Sequence, residues 1–132
     1  MDKYSKIHLW IGTNKTPEEE YLQYFELDYS TEGDFDSPNY KICQFCVDIG
    51  EKWYDQDFIG IIPRSTEDIE IDNILADSSI DEDEWNRIKR ICEQKGIIKA
   101  NAMFWYADAD LKIGNIDKTF NGLKYIGVFE GD

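Results

Sequence analysis

A single histidine, His8, is all the imidazole this chain of 132 residues holds. One imidazole cannot furnish a multi-histidine metal site or a zincin motif, and a Ser-His-Asp triad would have to rest on a residue inside an apolar, strand-like stretch. Cysteine is nearly as scarce. Cys43, Cys46 and Cys92 are an odd number, without the pattern of a disulfide scaffold. No stretch approaches the roughly 18 apolar residues of a membrane span, and the opening MDKYSKIHLWIG lacks the basic-then-apolar order of a secretory leader. A cytoplasmic protein is the expectation. Positive charge is also short: 14 Lys and Arg stand against 28 Asp and Glu, for a formal charge of −14. Binding to a phosphate backbone is therefore disfavoured, because that contact is made by releasing counterions onto Lys and Arg. An anionic membrane is disfavoured for the same reason.

What is present is the composition of a folded protein. Apolar residues make up 42% and aromatics 14%, spread along the whole chain, and the length suits one domain. Ile7, Leu9 and Ile11 alternate with His8 and Trp10, the period of a strand ended by Gly12. Thr16-Pro17-Glu18-Glu19 predicts a helix start, with Thr16 as N-cap, Pro17 at the first helical position and Glu19 closing a capping box. That helix should bury Tyr21, Leu22, Tyr24 and Phe25. Residues 26–36 read as a polar loop, and Ser37-Pro38 as the start of a second helix carrying Ile42, Phe45, Cys46 and Ile49 and ended by Gly50. Residues 58–62 read as a buried strand stopped by Pro63, with Gly60 where something approaches closely.

Over residues 65–77 the signal is mixed, because Ile69 and Ile71 alternate like a strand while Ile71, Ile74 and Leu75 fit a helix. A short helix is expected there. Ser79 and the acids at 81–84 start another helix, with Trp85, Ile88, Ile91 and Cys92 as its apolar stripe, bases toward its end and Gly96 beyond it. Residues 97–106 form the longest apolar run and predict a central strand; 108–119 a loop; and 123–129 a last strand. The order β-α-α-β-α-α-β-β predicts an α/β (α+β) layered domain, a mixed four-stranded sheet with about four helices packed on it and its last two strands paired antiparallel.

The constellations that could carry chemistry are thin. Cys43-x-x-Cys46 falls in the expected middle of a helix, whereas redox pairs sit at a helix start, and zinc would need two further ligands that Cys92 alone does not supply. Buried small side chains are the expected role. Asp108-Ala109-Asp110-Leu111-Lys112 begins like a calcium loop but places Lys112 at the third ligand position. Gly12-Thr13-Asn14-Lys15-Thr16-Pro17 lacks the spacing of a phosphate loop. No cofactor is expected.

Charge distribution is more informative. Residues 16–40 contain eight acids and residues 65–86 nine, with no lysine or arginine in either segment. Charge runs are commonly only solvated faces, and net charge by itself only maintains solubility. Two segments this depleted of bases also predict a strongly negative side, which would steer the protein onto a basic partner.

Several short stretches together resemble the immunity proteins of bacterial polymorphic toxin systems, specifically the immunity protein 22 family. They are His8-Leu9-Trp10-Ile11-Gly12, the acidic helix with Tyr24-Phe25, the helix over 45–50, Tyr54-Asp55-Gln56-Asp57-Phe58, Asn101-Ala102-Met103-Phe104-Trp105-Tyr106, and Tyr125-Ile126-Gly127. The resemblance implies a cytoplasmic, non-enzymatic inhibitor that binds a cognate toxin domain and protects the producing cell. Many such toxins are nucleases with basic clefts, which the charge of −14 fits independently. The contacts expected are Trp53, Tyr54, Asp55 and Asp57, then Glu70 and Asp72, and Asp81, Glu82 and Asp83 at a helix start. Trp53 and Tyr54 have a rival reading as core, and the acids at 81–84 as partners of the helix dipole. Two other classes compete. One is a metal-dependent, hydrolase-like enzyme in which Asp55 and Asp57, pointing the same way along an extended chain, share a hard cation. The other is a general acidic adaptor or DNA mimic.

Overall fold

The computed structural model describes residues 5–28, 38–62, 64–78, 80–114 and 116–131. The expected helix starts at Ser37 and Ser79, the strand stop at Pro63 and the acids at 32, 34 and 36 lie outside the described residues.

Strand β1, Lys6–Gly12, is the middle of a five-stranded sheet. It pairs antiparallel with β5, Ala102–Ala107, on one side and with β7, Leu123–Glu130, on the other. The short strands β2, Ile59–Ile61, and β6, Thr119–Phe120, complete the edges, giving the order β2-β5-β1-β7-β6. A separate two-stranded ribbon joins β3, Ile69–Glu70, to β4, Lys99–Ala100. Among the described residues every pairing is antiparallel. The protein is therefore α+β, and the mixed four-stranded sheet expected from the element order does not form. Nor do the last two expected strands pair with each other, because β1 inserts between β5 and β7.

Side chains alternate across a strand, and here both faces are buried. One face carries Trp10, Phe104, Tyr106, Leu123 and Tyr125, covered by Tyr21 of helix α1, Glu18–Gln23, by Tyr24 and Phe25 just after it, and by Phe45, Cys46 and Ile49 of helix α2, Gln44–Ile49. This face is largely aromatic: Trp10 stacks on Phe104 at 4.8 Å between ring centroids, and Phe25 meets Phe104 edge-on at 4.9 Å. The other face carries Ile7, Leu9, Ile11, Met103, Ile126 and Phe129. It is covered by Ile71, Ile74 and Leu75 of helix α3, Ile71–Leu75, and by Ile88 and Cys92 of helix α4, Trp85–Gln94. The sheet thus separates an aromatic layer from an aliphatic one, and everything attached to α2 lies across it from everything attached to α3.

Five local readings change. Thr16 does not cap α1; its hydroxyl donates to Asn14 Oδ1 at 2.7 Å, and the first helical residue is Glu18. Leu22 of that helix is exposed rather than buried. Residues 97–106 are two strands in two sheets, because Asn101 interrupts the run: its buried amide accepts from Asn14 N–H at 2.8 Å and donates to the Asn14 carbonyl at 2.9 Å. Residues 65–77 hold both a strand and a helix, β3 running directly into α3.

Finally, α2 starts at Gln44, so Cys43 is its N-cap and Cys46 lies in its first turn, not mid-helix. Gly50 ends it in the left-handed region at φ 79°, where a side chain would be strained.

Candidate functional site

After Gly50 the chain turns back along α2, with Glu51 N–H donating to the Cys46 carbonyl at 2.9 Å. Alternation along the extended segment that follows sorts its residues. Tyr54 points in and is only 3% exposed; it meets Phe45 edge-on at 5.0 Å and donates its hydroxyl to the Phe25 carbonyl. Its neighbour Trp53 points out and is 41% exposed. Tyr54 is thus core, and Trp53 is surface.

Asp55 is held from both sides. Its backbone N–H donates to the Tyr106 hydroxyl at 2.9 Å, and its carboxylate accepts Asp57 N–H at 3.0 Å, capping a 3-10 turn over Gln56–Phe58. That turn removes the extended geometry on which a shared cation depended. Asp57 is exposed on the turn itself. Among the described residues, no group of three or more His, Cys, Asp and Glu could hold a metal ion.

Between this segment and the end of β5 lies a hollow of about 260 Å³, lined by Glu51, Trp53, Asp55, Tyr106, Asp108 and Leu111 among others. Asp108 is positioned by bonds from both its backbone and its side chain. Its N–H donates to the Lys6 carbonyl at 3.0 Å, its carboxylate accepts Asp110 N–H at 2.9 Å, and its carbonyl accepts from His8 Nε2 at 2.9 Å. A carbonyl can only accept, so the His8 proton sits on Nε2 and Nδ1 accepts the Tyr125 hydroxyl at 2.8 Å. His8 is therefore a buried structural residue. Burial holds its pKa below the usual value, against the opposing pull of the Asp108 carbonyl and charge. Burial likewise raises the Tyr106 phenol and keeps it neutral.

Three carboxylates and two aromatic rings around so small a hollow suit a cation on a thin stem. The volume is below the roughly 300–1,000 Å³ of small-molecule pockets, whereas the end of a lysine or arginine side chain would find charge and a ring face together.

The other expected contacts do not join this site. Glu70 pairs with Lys99 at 3.7 Å across the ribbon and Asp72 with Lys89 at 3.0 Å, beside a second groove of about 430 Å³ that includes Ile97 and Ile98. Asp81 accepts Asp83 N–H at 3.0 Å in the 3-10 turn Glu82–Glu84 ahead of α4, and its own N–H donates to the Glu130 carbonyl at 3.0 Å. Glu82 and Asp83 are exposed on that turn. Both groups flank elements that cover the aliphatic face, across the sheet from Tyr54. The structure keeps Trp53 and Asp55 together, separates them from Glu70, Asp72, Asp81, Glu82 and Asp83, and adds Glu51, Tyr106 and Asp108. The β2-β5 pairing, which sets Ile59 opposite Tyr106, and the Asp55 N–H to Tyr106 hydroxyl bond bring Tyr106 and Asp108 beside the segment that carries Glu51.

The domain is thus an α+β fold with a sheet buried on both faces and an acidic, aromatic-walled hollow at the edge of one of them. The chain belongs to the immunity protein 22 family, whose family model matches residues 7–132. Membership implies neutralisation of a cognate toxin by an inhibitor that is typically not an enzyme. No curated protein and no solved structure matches the chain. Among the described residues, no helix is long and apolar enough to cross a membrane.

Proposed function

We propose that this immunity protein works in the cytoplasm and neutralises a toxin nuclease by covering its basic cleft, with the hollow beside Trp53 receiving a lysine or arginine of that cleft. The observation that carries the reading is the convergence of Glu51, Asp55 and Asp108 around Trp53 and Tyr106, in a chain whose charge is −14. The excess of acid raises the encounter rate with a basic surface. An exposed tryptophan beside fixed carboxylates supplies the kind of aromatic anchor that dominates protein interfaces. Asp57, at the rim, contributes to steering. The carboxylates at Glu70, Asp72, Asp81, Glu82 and Asp83 act at longer range through the overall field, since Glu70 and Asp72 already have cationic partners within the chain.

Occlusion makes a kinetic statement. Inhibition of the toxin encoded beside this gene should be competitive with its nucleic-acid substrate, and the protein should have no affinity for the nucleic acid itself. Inhibition that leaves substrate binding intact would place the contact at an exosite and remove the occlusion reading.

A further inference from the structure

The Cys43-x-x-Cys46 pair takes on a different meaning once α2 is seen to begin at Gln44. The two Sγ atoms lie 3.1 Å apart, and Cys43 Sγ also accepts the Cys46 backbone N–H at 3.4 Å. A disulfide needs the sulfurs at about 2.05 Å with the Cα atoms roughly 4.4–6.8 Å apart, a separation that positions three apart at a helix start provide. Closing the bond therefore asks the two sulfurs to approach by about 1 Å.

The two thiols are not equivalent. Cys46 is 0% exposed, enclosed in the aromatic layer, whereas Cys43, itself buried at 8% exposure, borders an open groove of about 460 Å³ shared with Glu26, Asp28, Lys41 and Ile42. The Cys46 thiol and backbone N–H stabilise a Cys43 thiolate, which lowers Cys43 below the ordinary thiol range, while the hydrogen bond to Cys43 and then burial raise Cys46. Burial opposes ionisation of Cys43, and Asp48, further along α2, adds to that opposition, although the Asp48 carboxylate is engaged by Lys118 Nζ at 2.8 Å and by the Tyr24 hydroxyl at 2.6 Å. The third thiol, Cys92, is fully buried in the aliphatic layer across the sheet and is raised by that burial to about 11. It cannot compete.

We infer that Cys43 and Cys46 form a redox-active dithiol that exchanges with small-molecule disulfides entering the groove, with Cys43 attacking and Cys46 resolving. The Cys43 thiolate bonds to one sulfur of the incoming disulfide and expels the other as a thiolate, leaving a mixed disulfide. Cys46, losing its proton, then attacks Cys43 Sγ and expels the second half. One small disulfide is reduced to two thiols, and the protein dithiol is oxidised to one disulfide. This activity is independent of toxin binding.

The test is thiol mapping on the native, reduced protein exposed to cystamine without oxygen, quenched in acid and digested with trypsin, which leaves both cysteines on the single peptide 42–52. The expected product is that peptide lighter by two hydrogen atoms, formed at least about tenfold faster than any change at Cys92. In Cys46→Ser the cystamine half should remain attached to Cys43. Thiols that act only as buried apolar groups would react together and only as fast as the protein unfolds. That result, or first attack at Cys46 or Cys92, overturns the inference. The wild-type mapping needs no variant, so a substitution that fails to fold does not remove the test.

Discussion

The backbone N–H of Asp55 donates to the Tyr106 hydroxyl at 2.9 Å, which ties the exposed segment around Trp53 to the next-to-last residue of β5. Tyr106 is itself wedged edge-on against Tyr54 at 5.9 Å and Phe45 at 6.1 Å. The acidic hollow is thus mounted on the sheet and does not have to be assembled on binding. Preorganisation of this kind lowers the entropic cost of association.

Steering by charge predicts a salt dependence. The association rate with the toxin domain, followed by stopped-flow fluorescence, should fall steeply as ionic strength rises, since the Debye length shrinks from roughly 30 Å at 0.01 M to about 8 Å at 0.15 M. Asp57→Asn should lower the rate at low salt by less than about threefold and leave the dissociation rate unchanged, as expected for a rim charge.

Trp53 and Tyr54 are adjacent yet should separate cleanly. Trp53→Ala should weaken toxin binding by about 2 kcal/mol, roughly thirtyfold, while changing stability by less than about 1 kcal/mol. Tyr54→Ala should cost about 3–5 kcal/mol of stability, because it empties a site between Phe45 and Tyr106 and removes a hydrogen bond to Phe25. Urea denaturation and calorimetric titration distinguish the two.

At Gly60 a Cβ would lie 2.1 Å from the indole of Trp105, its cross-strand partner. Gly60→Ala should destabilise by about 2 kcal/mol. In a Trp105→Ala background the same change should be at least about 1 kcal/mol milder, a coupling that a double-mutant cycle measures.

His8 predicts a pH dependence. Its folded-state pKa lies below 6.5 because burial disfavours the cation, so below pH 6.5 the unfolded chain binds more protons than the folded one. Stability from this group is full above pH 6.5 and is lost as pH falls from there toward the folded pKa. Unfolding free energies between pH 6.5 and about 5, above most carboxylate titration, should fall in the wild type and stay flatter in His8→Asn.

Elements announced by local pattern were legible in the sequence: β1 from its alternation, the end of α2 from Gly50, and the close approach at Gly60. Pairing was not. The hydrophobic run at 97–106 gives no sign that Asn101 divides it, because the amide's partners, Asn14 and Ser65, are distant in sequence. The hairpin joining β6 to β7 did leave a signal, Asn121-Gly122, whose positive φ values of 56° and 83° suit a tight turn. For the site, Trp53 and Asp55 stood out as an aromatic beside an acid. Glu51 and Asp108 were invisible as partners because they are 57 residues apart in sequence and meet through the β2-β5 pairing, and Asp108 read only as a failed calcium loop. The Cys43-x-x-Cys46 pair was misplaced by a helix start set too early, at a proline outside α2.

The most direct measurement is the dissociation constant for the toxin domain encoded beside this gene, compared between the wild type and Asp55→Asn/Asp108→Asn at physiological salt. Both carboxylates are expected to face a cationic side chain in the complex, so the double variant should bind roughly 100-fold more weakly, at about 1.4 kcal/mol per carboxylate, with its fold intact by circular dichroism. Equal affinity in the folded double variant would contradict the account.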